Sequence, residues 1–421
     1  MRTCAVSGRR CISKSSHISW FVVYYCTVHI KRTILLLQVA TGLLAAGYGV
    51  MFTMLDDWRA EYGIQETGLG FIVAVGFFTS FIAQLTIAPL ADKGFSRRLM
   101  TLGLIANVVG ALAMAQGSTM TTFIIGRFLM GMGAGMAIPA IRRIVVVTDP
   151  EHLGENMGRG LSIEVGGFAL GPIISAVTVE TFGLAAPFLI IATLLAVMAL
   201  IIWRIPIHET PVEDRTSERF AIDLLKVRPL CGAIMIGLAL FLMIGTFDPL
   251  WVVMMDDLHA PNWVANAGIA IFGLPFILFG TLGGRIAQRH GPFRVSALGL
   301  ILGAGYMTIY GLLGQPYLML GIGVTQSIVD SLTVTGTGLA VAQVAPIERQ
   351  AGASGLLGGM QTLTGGIAAT LAGVTYEHFG QATAFTTTAV VMVLMVTTGC
   401  ILAGPQWMRK PVNSEVFSAS Q

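Results

Sequence analysis

The chain has 421 residues, of which 54% are hydrophobic and only 11% are charged. A soluble protein carries roughly a quarter charged residues, so this composition excludes a water-soluble globular protein and indicates a surface that mostly faces lipid. The formal net charge of +3 argues neither for nor against nucleic acid, and the five cysteines lack the spacing of metal ligands or redox pairs.

Residues 1–32 form an N-terminal extension in which arginines and a lysine precede a short apolar run, Trp20 to Val28. This order is that of a signal peptide, but no small-residue cleavage site follows it. We expect a disordered or interfacial extension, or a start site assigned upstream of the true one.

Apolar runs long enough to cross a membrane, which takes roughly 20 residues, then follow in quick succession. The runs are Thr33–Leu55, Gly68–Ala91, Leu99–Gln116, Thr121–Val147, Gly158–Thr181, Leu184–Trp203, Pro229–Met255, Val264–Ala287, Phe293–Leu313, Tyr317–Val344, Ala351–Tyr376 and Thr383–Ala403. They predict an all-α membrane protein with twelve transmembrane helices in two six-helix bundles, 33–203 and 229–404. A polar linker, 204–228, joins the bundles, and a tail, 405–421, follows them.

Charge predicts the orientation of these helices. Loops after even-numbered runs are rich in arginine and lysine. Loops after odd-numbered runs are acidic, and Arg59 is the only arginine or lysine in them. Because positively charged loops are retained in the cytoplasm, the linker, the tail and both termini are predicted to be cytoplasmic. The linker should be a partly helical bridge that lets the two halves move against each other.

The two halves share a loop sequence. Ala88 to Arg98 reads A-P-L-A-D-K-G-F-S-R-R, and Gly284 to Arg294 reads G-R-I-A-Q-R-H-G-P-F-R. Gln288 stands where Asp92 stood, at an offset of 288 − 92 = 196 residues. Since both halves have the same topology, we interpret them as a parallel repeat related by an axis along the membrane normal.

This organisation resembles the major facilitator superfamily, whose hallmark in the loop between spans two and three is G-x-x-x-D-R/K-x-G-R-R/K. The matching residues here are Asp92, Lys93, Arg97 and Arg98. Ala88 replaces the first glycine of the motif, and Gly94 lies one position early. The resemblance covers about Arg32 to Lys410.

Two further elements strengthen the resemblance. Span four contains R-F-L-M-G-M-G-A-G, similar to the family's R-x-x-x-G-x-G element, and span five contains G-F-A-L-G-P, similar to a G-x-x-x-G-P element typical of drug:proton antiporters. Their small residues are Gly131, Gly133, Gly135, Gly167, Gly171 and Pro172. No strand precedes the first group and no phosphate-contacting lysine follows it, so we interpret these residues as helix-packing positions. The resemblance implies that the second element shapes a barrier to leakage.

The loop motif also predicts a gate. The carboxylate of Asp92 can pair with arginines, or with helix N-termini of the opposite half, in one access state and separate from them in the other. Arg142 and Arg143 are the candidate arginines. The alternative is a solvated turn that only sets orientation.

Charged side chains inside spans are costly and mark candidate functional positions. The four candidates for proton coupling are Arg127, Glu164, Asp248 and Asp330. Asp330 is the best proton carrier, because a carboxyl group in a dehydrated cavity loads and releases protons near neutral pH. Gln326 and Thr337 are expected on the same helix face. For each of the four, the alternative is a structural pair or a position near the interface.

Polar or amphipathic side chains within spans are candidates for lining a substrate cavity. They are Tyr48, Gln84, Asn107, Trp251, Gln326, Gln361 and Thr364. Most such residues bond to neighbouring helices, which is the alternative here.

We therefore expect a secondary transporter of the plasma (inner) membrane, most similar to proton-coupled exporters of small organic compounds. Its partners would be a small-molecule substrate, protons and lipid, without nucleic acid, metal or cofactor, and the protein would be a monomer. No G-x-x-x-x-G-K-[S/T] motif is present, so energy would come from a gradient. The alternatives are a symporter that imports a metabolite and a non-transporting sensor. An intramembrane enzyme is disfavoured, because the sequence has no H-E-x-x-H motif and its histidines lie outside the span interiors.

Overall fold

A computed structural model describes residues 16–207 and 220–407, and all regular structure in those ranges is helical. The first half contains α1 (Ser16–Thr53), α2 (Leu55–Tyr62), α3 (Glu66–Thr86), α4 (Ser96–Gln116), α5 (Met120–Thr148), α6 (Leu153–Phe182) and α7 (Ala186–Arg204). The second half contains α8 (Arg228–Asp257), α9 (Asn262–His290), α10 (Pro292–Leu312), α11 (Pro316–Thr333), α12 (Thr335–Val344) and α13 (Gln350–Ala403). Short 3₁₀ turns lie between several of them.

The ends of the chain and part of the linker lie outside the described residues. These are residues 1–15 of the predicted extension, 208–219 of the linker and 408–421 of the tail. Within the described part, α1 begins at Ser16, well before the predicted start of the first span at Thr33. Residues 16–32 are therefore helical and continuous with that span rather than a separate extension.

Eleven helical stretches in the described residues are long and apolar enough to cross a membrane. One of them, Ile347–Trp407, is 61 residues long, about three times what a single crossing needs. The chain reverses inside it at Gly380, whose φ of 80° lies in the left-handed region that favours glycine. Divided there, α13 supplies the eleventh and twelfth predicted spans. The tenth span consists of α11 and α12, which are separated only by Val334.

Each half has its own hydrophobic core. One cluster of buried side chains is drawn mainly from α1 to α7 and another mainly from α8 to α13. The short helix α2 covers one end of the first core, where Trp58 stacks on Phe123 at 4.3 Å and on Phe188 at 5.9 Å between ring centroids. The structure thus has the two bundles that the hydropathy pattern predicts.

The halves meet mainly along α6 with α9 and α3 with α13, and α5 with α13 and α6 with α12 add smaller contacts. Small residues allow the first approach: a methyl group on Gly154 or Gly158 would overlap the backbone of Gly284 or Gly280. Both main contacts lie at the end of the molecule that carries the loop of Asp92, which we call the Asp92 end. The candidate gate therefore lies where the two bundles touch.

Candidate functional site

Asp92 lies at the centre of the contact between the halves. Its side chain is only 1% exposed, on the 3₁₀ turn Ala88–Lys93 that follows α3. From the second half, the backbone N–H groups of Ala351 and Gly352 donate to its two carboxylate oxygens at 2.9 and 2.7 Å. From its own half, Arg143 Nε donates to Oδ1 at 3.0 Å. Asp92 therefore caps the N-terminus of α13, where the helix dipole favours a negative charge.

The remaining charged residues of the predicted gate have different surroundings. Arg142 does not share the role of Arg143, since its guanidinium lies 3.6 Å from Glu164 at a half-exposed site. Lys93 and Arg97 are half-buried beside the turn, and Arg98 is exposed. The structure therefore selects Arg143 from the two candidate arginines as the partner of Asp92.

Gln288, the counterpart of Asp92 in the repeat, makes an equivalent contact with the other bundle. The backbone N–H of Gly154, in the first turn of α6, donates to Gln288 Oε1 at 2.7 Å, and Gln288 Nε2 donates to the carbonyl of Glu151 at 2.8 Å. Beside it, Arg285 lies 3.1 Å from Glu155. Each half thus caps a helix N-terminus of the other, once with a carboxylate and once with an amide.

The linker contacts the second half next to the candidate gate, and the sequence analysis did not predict this contact. Arg349 pairs with the carboxylate of Asp223 and donates to the carbonyl of Phe220 at 2.8 Å. The neighbouring Ala221 is buried against Gly352, one of the donors to Asp92. The linker therefore covers the N-terminus of α13 that Asp92 caps.

The pairing with Arg349 holds the pKa of Asp223 below its usual range. Because the pKa is lowered in the folded protein, this contact is favourable above the ordinary value of about 3.9 and is lost only as the pH falls through the lowered value. At neutral pH the pair is therefore fully charged and holds the linker in place.

Asp330 lies in the interior of the second bundle, at the C-terminal end of α11. It is 6% exposed, and Gln326 Nε2 donates to its Oδ2 at 3.3 Å and lies 3.5 Å from Met243 Sδ. The helix is interrupted at Val334, so Thr337 lies in α12, where its hydroxyl donates to the Val334 carbonyl at 2.9 Å. Gln326 and Asp330 thus share a face as predicted, whereas Thr337 is part of a separate segment.

Arg127, in α5, is completely buried in the first bundle. Its guanidinium carbon lies 4.2 Å from the ring centre of Tyr48 and 5.6 Å from that of Phe77. Within the described part of the chain, its three side-chain nitrogens have no hydrogen-bond partner. The two rings therefore provide its cation–π surroundings.

The four buried-charge candidates do not form one cluster. Arg127 and Asp330 belong to different bundles, and Glu164 pairs with Arg142 toward the Asp92 end. Asp248 precedes Pro249 within α8, and its side chain is exposed. Within the described residues, none of these four groups has another of the four as its hydrogen-bond or ion-pair partner.

Two of the predicted cavity residues lie elsewhere. Asn107 is fully buried between α4 and α5, against Gly133, and donates to the Gly103 carbonyl at 3.0 Å. Trp251 is fully buried against Phe272, with their ring centroids 4.9 Å apart. Both side chains pack within their own bundle, which agrees with the alternative that such residues bond to neighbouring helices.

The other cavity candidates have mixed environments. Gln84 lies against the backbone of α13 at Gly355 and is therefore at the contact between the halves. Gln361 donates to the Gly237 carbonyl at 3.1 Å inside the second bundle. Tyr48 is half-buried beneath Arg127, and Thr364 is half-buried in α13.

The glycines of spans four and five lie where helices cross closely. Those of α5 face α3 and α4, and those of α6 face α1; a methyl group on any of them would overlap atoms of the facing helix. The residues are Gly131, Gly133, Gly135, Gly167 and Gly171. Pro172 follows inside α6. Direct contact between backbones is the packing mode that small residues permit in membranes.

Substitution Gly171→Ala is expected to destabilise the first bundle, because the new methyl group would overlap the backbone of Gly49. Overpacking of this kind costs about 1–3 kcal/mol. Gly166→Ala, on the same helix, is the control, since its methyl group would lie at an ordinary 3.9 Å from Ile277. Thermal unfolding in detergent should show a lower midpoint for Gly171→Ala only. Equal midpoints for both variants would contradict the close crossing.

Comparison with known proteins agrees with this architecture. A family model described as Major Facilitator Superfamily matches residues 37–252 and 233–418. The chain therefore belongs to the major facilitator superfamily, a family of transporters, and is a multi-pass protein of the plasma membrane. Among curated proteins, it is 26% identical over 259 residues to the quinolone resistance protein NorA of Staphylococcus aureus, which covers 59% of this chain and 66% of that protein. It is 25% identical over 245 residues to the putative uncharacterized transporter YgaY of Escherichia coli, covering 56% and 60%.

Solved structures share the fold at low sequence identity. The proton:xylose symporter XylE superposes with a TM-score of 0.72 at 13% identity, covering 88% of this chain and 95% of that one. The human organic anion transporter MFSD10 gives 0.69 at 16% identity, covering 88% and 99%. FucP in the outward conformation gives 0.70 at 16% identity, covering 90% and 99%.

Proposed function

We propose that this protein is a secondary active transporter that exports small organic compounds by exchange for protons, with the Asp92 end and both termini in the cytoplasm. The observation that carries the proposal is a carboxylate, Asp330, enclosed in one bundle of a two-bundle protein whose halves are closed at one end by Asp92. Similarity to a quinolone resistance protein favours export of a drug-like compound.

In this proposal the contact of Asp92 with α13 is a cytoplasmic gate. Asp92 and Gln288 each bridge the two bundles through backbone N–H groups at a helix start. Separation of the halves would break these bonds together, so the bridge has two discrete states. Alternating access would then rock one bundle against the other.

The proposed proton carrier is Asp330, which is enclosed by Gln326 and Met243. Its ionised form is disfavoured by burial, so opening of the bundle to water would favour release of a proton. A proton would therefore bind to Asp330 with different affinity in the two access states, and coupling requires such a difference. Asp248, exposed beside a proline within α8, is the second candidate for the proton carrier. Arg127, in the first bundle, would attract an anionic group or alter the protonation of a nearby acid. Because Glu164 pairs with Arg142, it ranks last.

Two alternatives remain within this framework. A symporter would import a metabolite with the proton, and a sensor would bind its ligand without moving it. The direction of proton movement that accompanies substrate distinguishes the first from export, and the absence of flux distinguishes the second.

The test is proton movement in liposomes that contain the purified protein and an internal pH dye. A panel of hydrophobic cations, sugars and organic acids is added, and the pH change is followed. Export by exchange predicts that substrate and protons move in opposite directions. Movement in the same direction would support the symporter, and ligand binding without any flux would support the sensor.

A further inference from the structure

A lipid-facing groove runs along the first bundle between α4 and α7. Its volume is about 600 Å³, within the range of roughly 300–1,000 Å³ seen for small-molecule sites. The α4 wall begins at Arg98 and continues at Thr101, Leu102, Ile105 and Val108, the spacing of a single helix face. The opposite wall consists of α7 residues from Ala196 to Trp203.

Polarity in this groove is confined to one end. Arg98 is exposed there, with its guanidinium 5.5 Å from the ring centre of Phe95, and no carboxylate pairs with it in the described ranges 16–207 and 220–407. Trp203, 56% exposed, lies at the same end, as tryptophan does at membrane interfaces. Beyond Thr101 the lining is entirely aliphatic. The groove is thus positively charged at its mouth and apolar along its length.

The hydroxyl of Thr101 lies beneath the surface of the groove. The side chain of this residue is 7% exposed, and its hydroxyl has no hydrogen-bond partner in the described residues. A threonine within a helix ordinarily donates to the carbonyl four residues earlier, as Thr193 of α7 does to Leu189 at 2.8 Å. A buried polar atom without a partner is uncommon and costly. Thr101 lies one helical turn from Arg98 and lines the groove, but its hydroxyl oxygen is enclosed by the protein and does not face a ligand in the groove.

The length of the groove fits one leaflet of the bilayer. From Arg98 to Val108 the α4 wall rises over 108 − 98 = 10 residues, or about 15 Å. The hydrocarbon core of a bilayer is about 30 Å thick, so one leaflet is about half of that. A lipid whose headgroup lies at Arg98 would therefore reach the bilayer centre near Val108.

We propose that this groove binds an anionic phospholipid, with the phosphate at Arg98 and an acyl chain along α4 and α7. Arginine pairs with phosphate through charge-assisted hydrogen bonds. The apolar walls account for the acyl chain, and the single charged end accounts for the preference for an anionic headgroup. The proposal does not depend on transport or on its direction.

The test is native mass spectrometry of the full-length protein in detergent, titrated separately with dioleoylphosphatidylglycerol and dioleoylphosphatidylcholine. We expect the wild type to retain phosphatidylglycerol preferentially. Arg98→Gln should weaken phosphatidylglycerol binding by about tenfold, as expected for the loss of a charged hydrogen bond. It should weaken phosphatidylcholine binding less, because the choline cation of that lipid offsets the charge of its phosphate. Ala196→Trp, which fills the groove from an exposed position, should weaken binding of both lipids.

Two further variants keep the result decisive. Thr101→Val preserves the side-chain shape and removes a hydroxyl that the protein encloses, so it should leave phosphatidylglycerol binding unchanged. Arg294→Gln is the matched control, because Arg294 is the exposed counterpart of Arg98 in the second half, and it should leave binding within about twofold, a difference well below the tenfold step of 1.4 kcal/mol.

Several outcomes would overturn the lipid assignment. Equal losses in Arg98→Gln and Arg294→Gln would mean that interfacial charge alone attracts the lipid. Equal retention of both lipids would show that the groove has no site selective for an anionic headgroup. A protein dimer that Ala196→Trp dissociates would assign the groove to a second copy of the chain, and displacement of lipid by a transported compound but not by excess phosphatidylglycerol would assign it to substrate.

Discussion

Asp330→Asn is expected to reduce substrate-coupled proton movement in liposomes to the level of protein-free vesicles. Asparagine has nearly the same shape, and its side-chain oxygen can still accept the hydrogen bond that Gln326 donates at 3.3 Å. It cannot take up or release a proton at any working pH. The variant should therefore fold and bind substrate while losing the coupling step.

Substrate counterflow separates this result from simple damage to the fold. Counterflow exchanges labelled for unlabelled substrate without net proton movement, so Asp330→Asn should retain it. Asp248→Asn is measured in parallel, because Asp248, exposed in α8, is the second carrier candidate; it should retain proton movement if Asp330 is the carrier. Wild-type proton movement in Asp330→Asn, together with its loss in Asp248→Asn, would transfer the carrier role to Asp248.

Much of the fold can be read from hydropathy, because a membrane span must satisfy its own backbone hydrogen bonds and therefore shows itself as one long apolar run. The boundary between the last two spans is less evident, since α13 continues to Ala403 and only Gly380 reverses it. The pairing of Gln326 with Asp330 could be predicted as well, because residues four apart share a helix face. Local spacing thus predicts local contacts.

Contacts over long sequence distances follow a different logic. Asp92 is bound by backbone N–H groups of Ala351 and Gly352, and since almost every residue carries such a donor, the side chains give no signal for the pairing. The ion pair between Arg349 and Asp223 joins two loops. Because the charges of both loops are typical of solvated loops, the sequence does not indicate that they pair. Asn107 and Trp251 were assigned to a cavity because an apolar helix does not reveal which of its faces meets lipid, a neighbouring helix or water.

The internal repeat allows some of these long-range contacts to be predicted from the sequence. The offset that aligns Gln288 with Asp92 pairs two residues that both cap a helix N-terminus of the opposite bundle. An amide oxygen accepts such a hydrogen bond as a carboxylate does, but without the charge that the helix dipole favours. The loss of charge in the second copy therefore changes the strength of the contact and not its geometry.

Asp92→Asn is expected to open the Asp92 end. An asparagine has one acceptor oxygen, so it can satisfy only one of the two N–H groups at the start of α13, and its own NH₂ would face the other donor. Breaking a buried charged contact by removing one partner costs about 3–5 kcal/mol. A shift of about 5.5 kcal/mol takes a two-state equilibrium from 1:99 to 99:1, so this substitution is large enough to change which state predominates.

The measurement is maleimide labelling of Ser354→Cys from the Asp92 side. Ser354 lines a small space behind the gate together with Arg142 and Gln350, so its labelling reports separation of the halves. Labelling should increase at least about tenfold in the Asp92→Asn background, which corresponds to 1.4 kcal/mol or more. The protein without Ser354→Cys, which retains the five native cysteines, gives the background rate.

Two companion variants identify which contact of Asp92 acts as the gate. Glu155→Gln removes the exposed pair with Arg285, also between the halves, and should change labelling by less than about fivefold, since exposed pairs contribute about 1 kcal/mol or less. Arg143→Gln removes the partner of Asp92 within its own half but leaves both N–H groups of α13 bonded, so it should lower thermal stability without opening the gate. If Arg143→Gln raised labelling as much as Asp92→Asn, the decisive contact would be the ion pair inside the first bundle, and the cap on α13 would be only its neighbour.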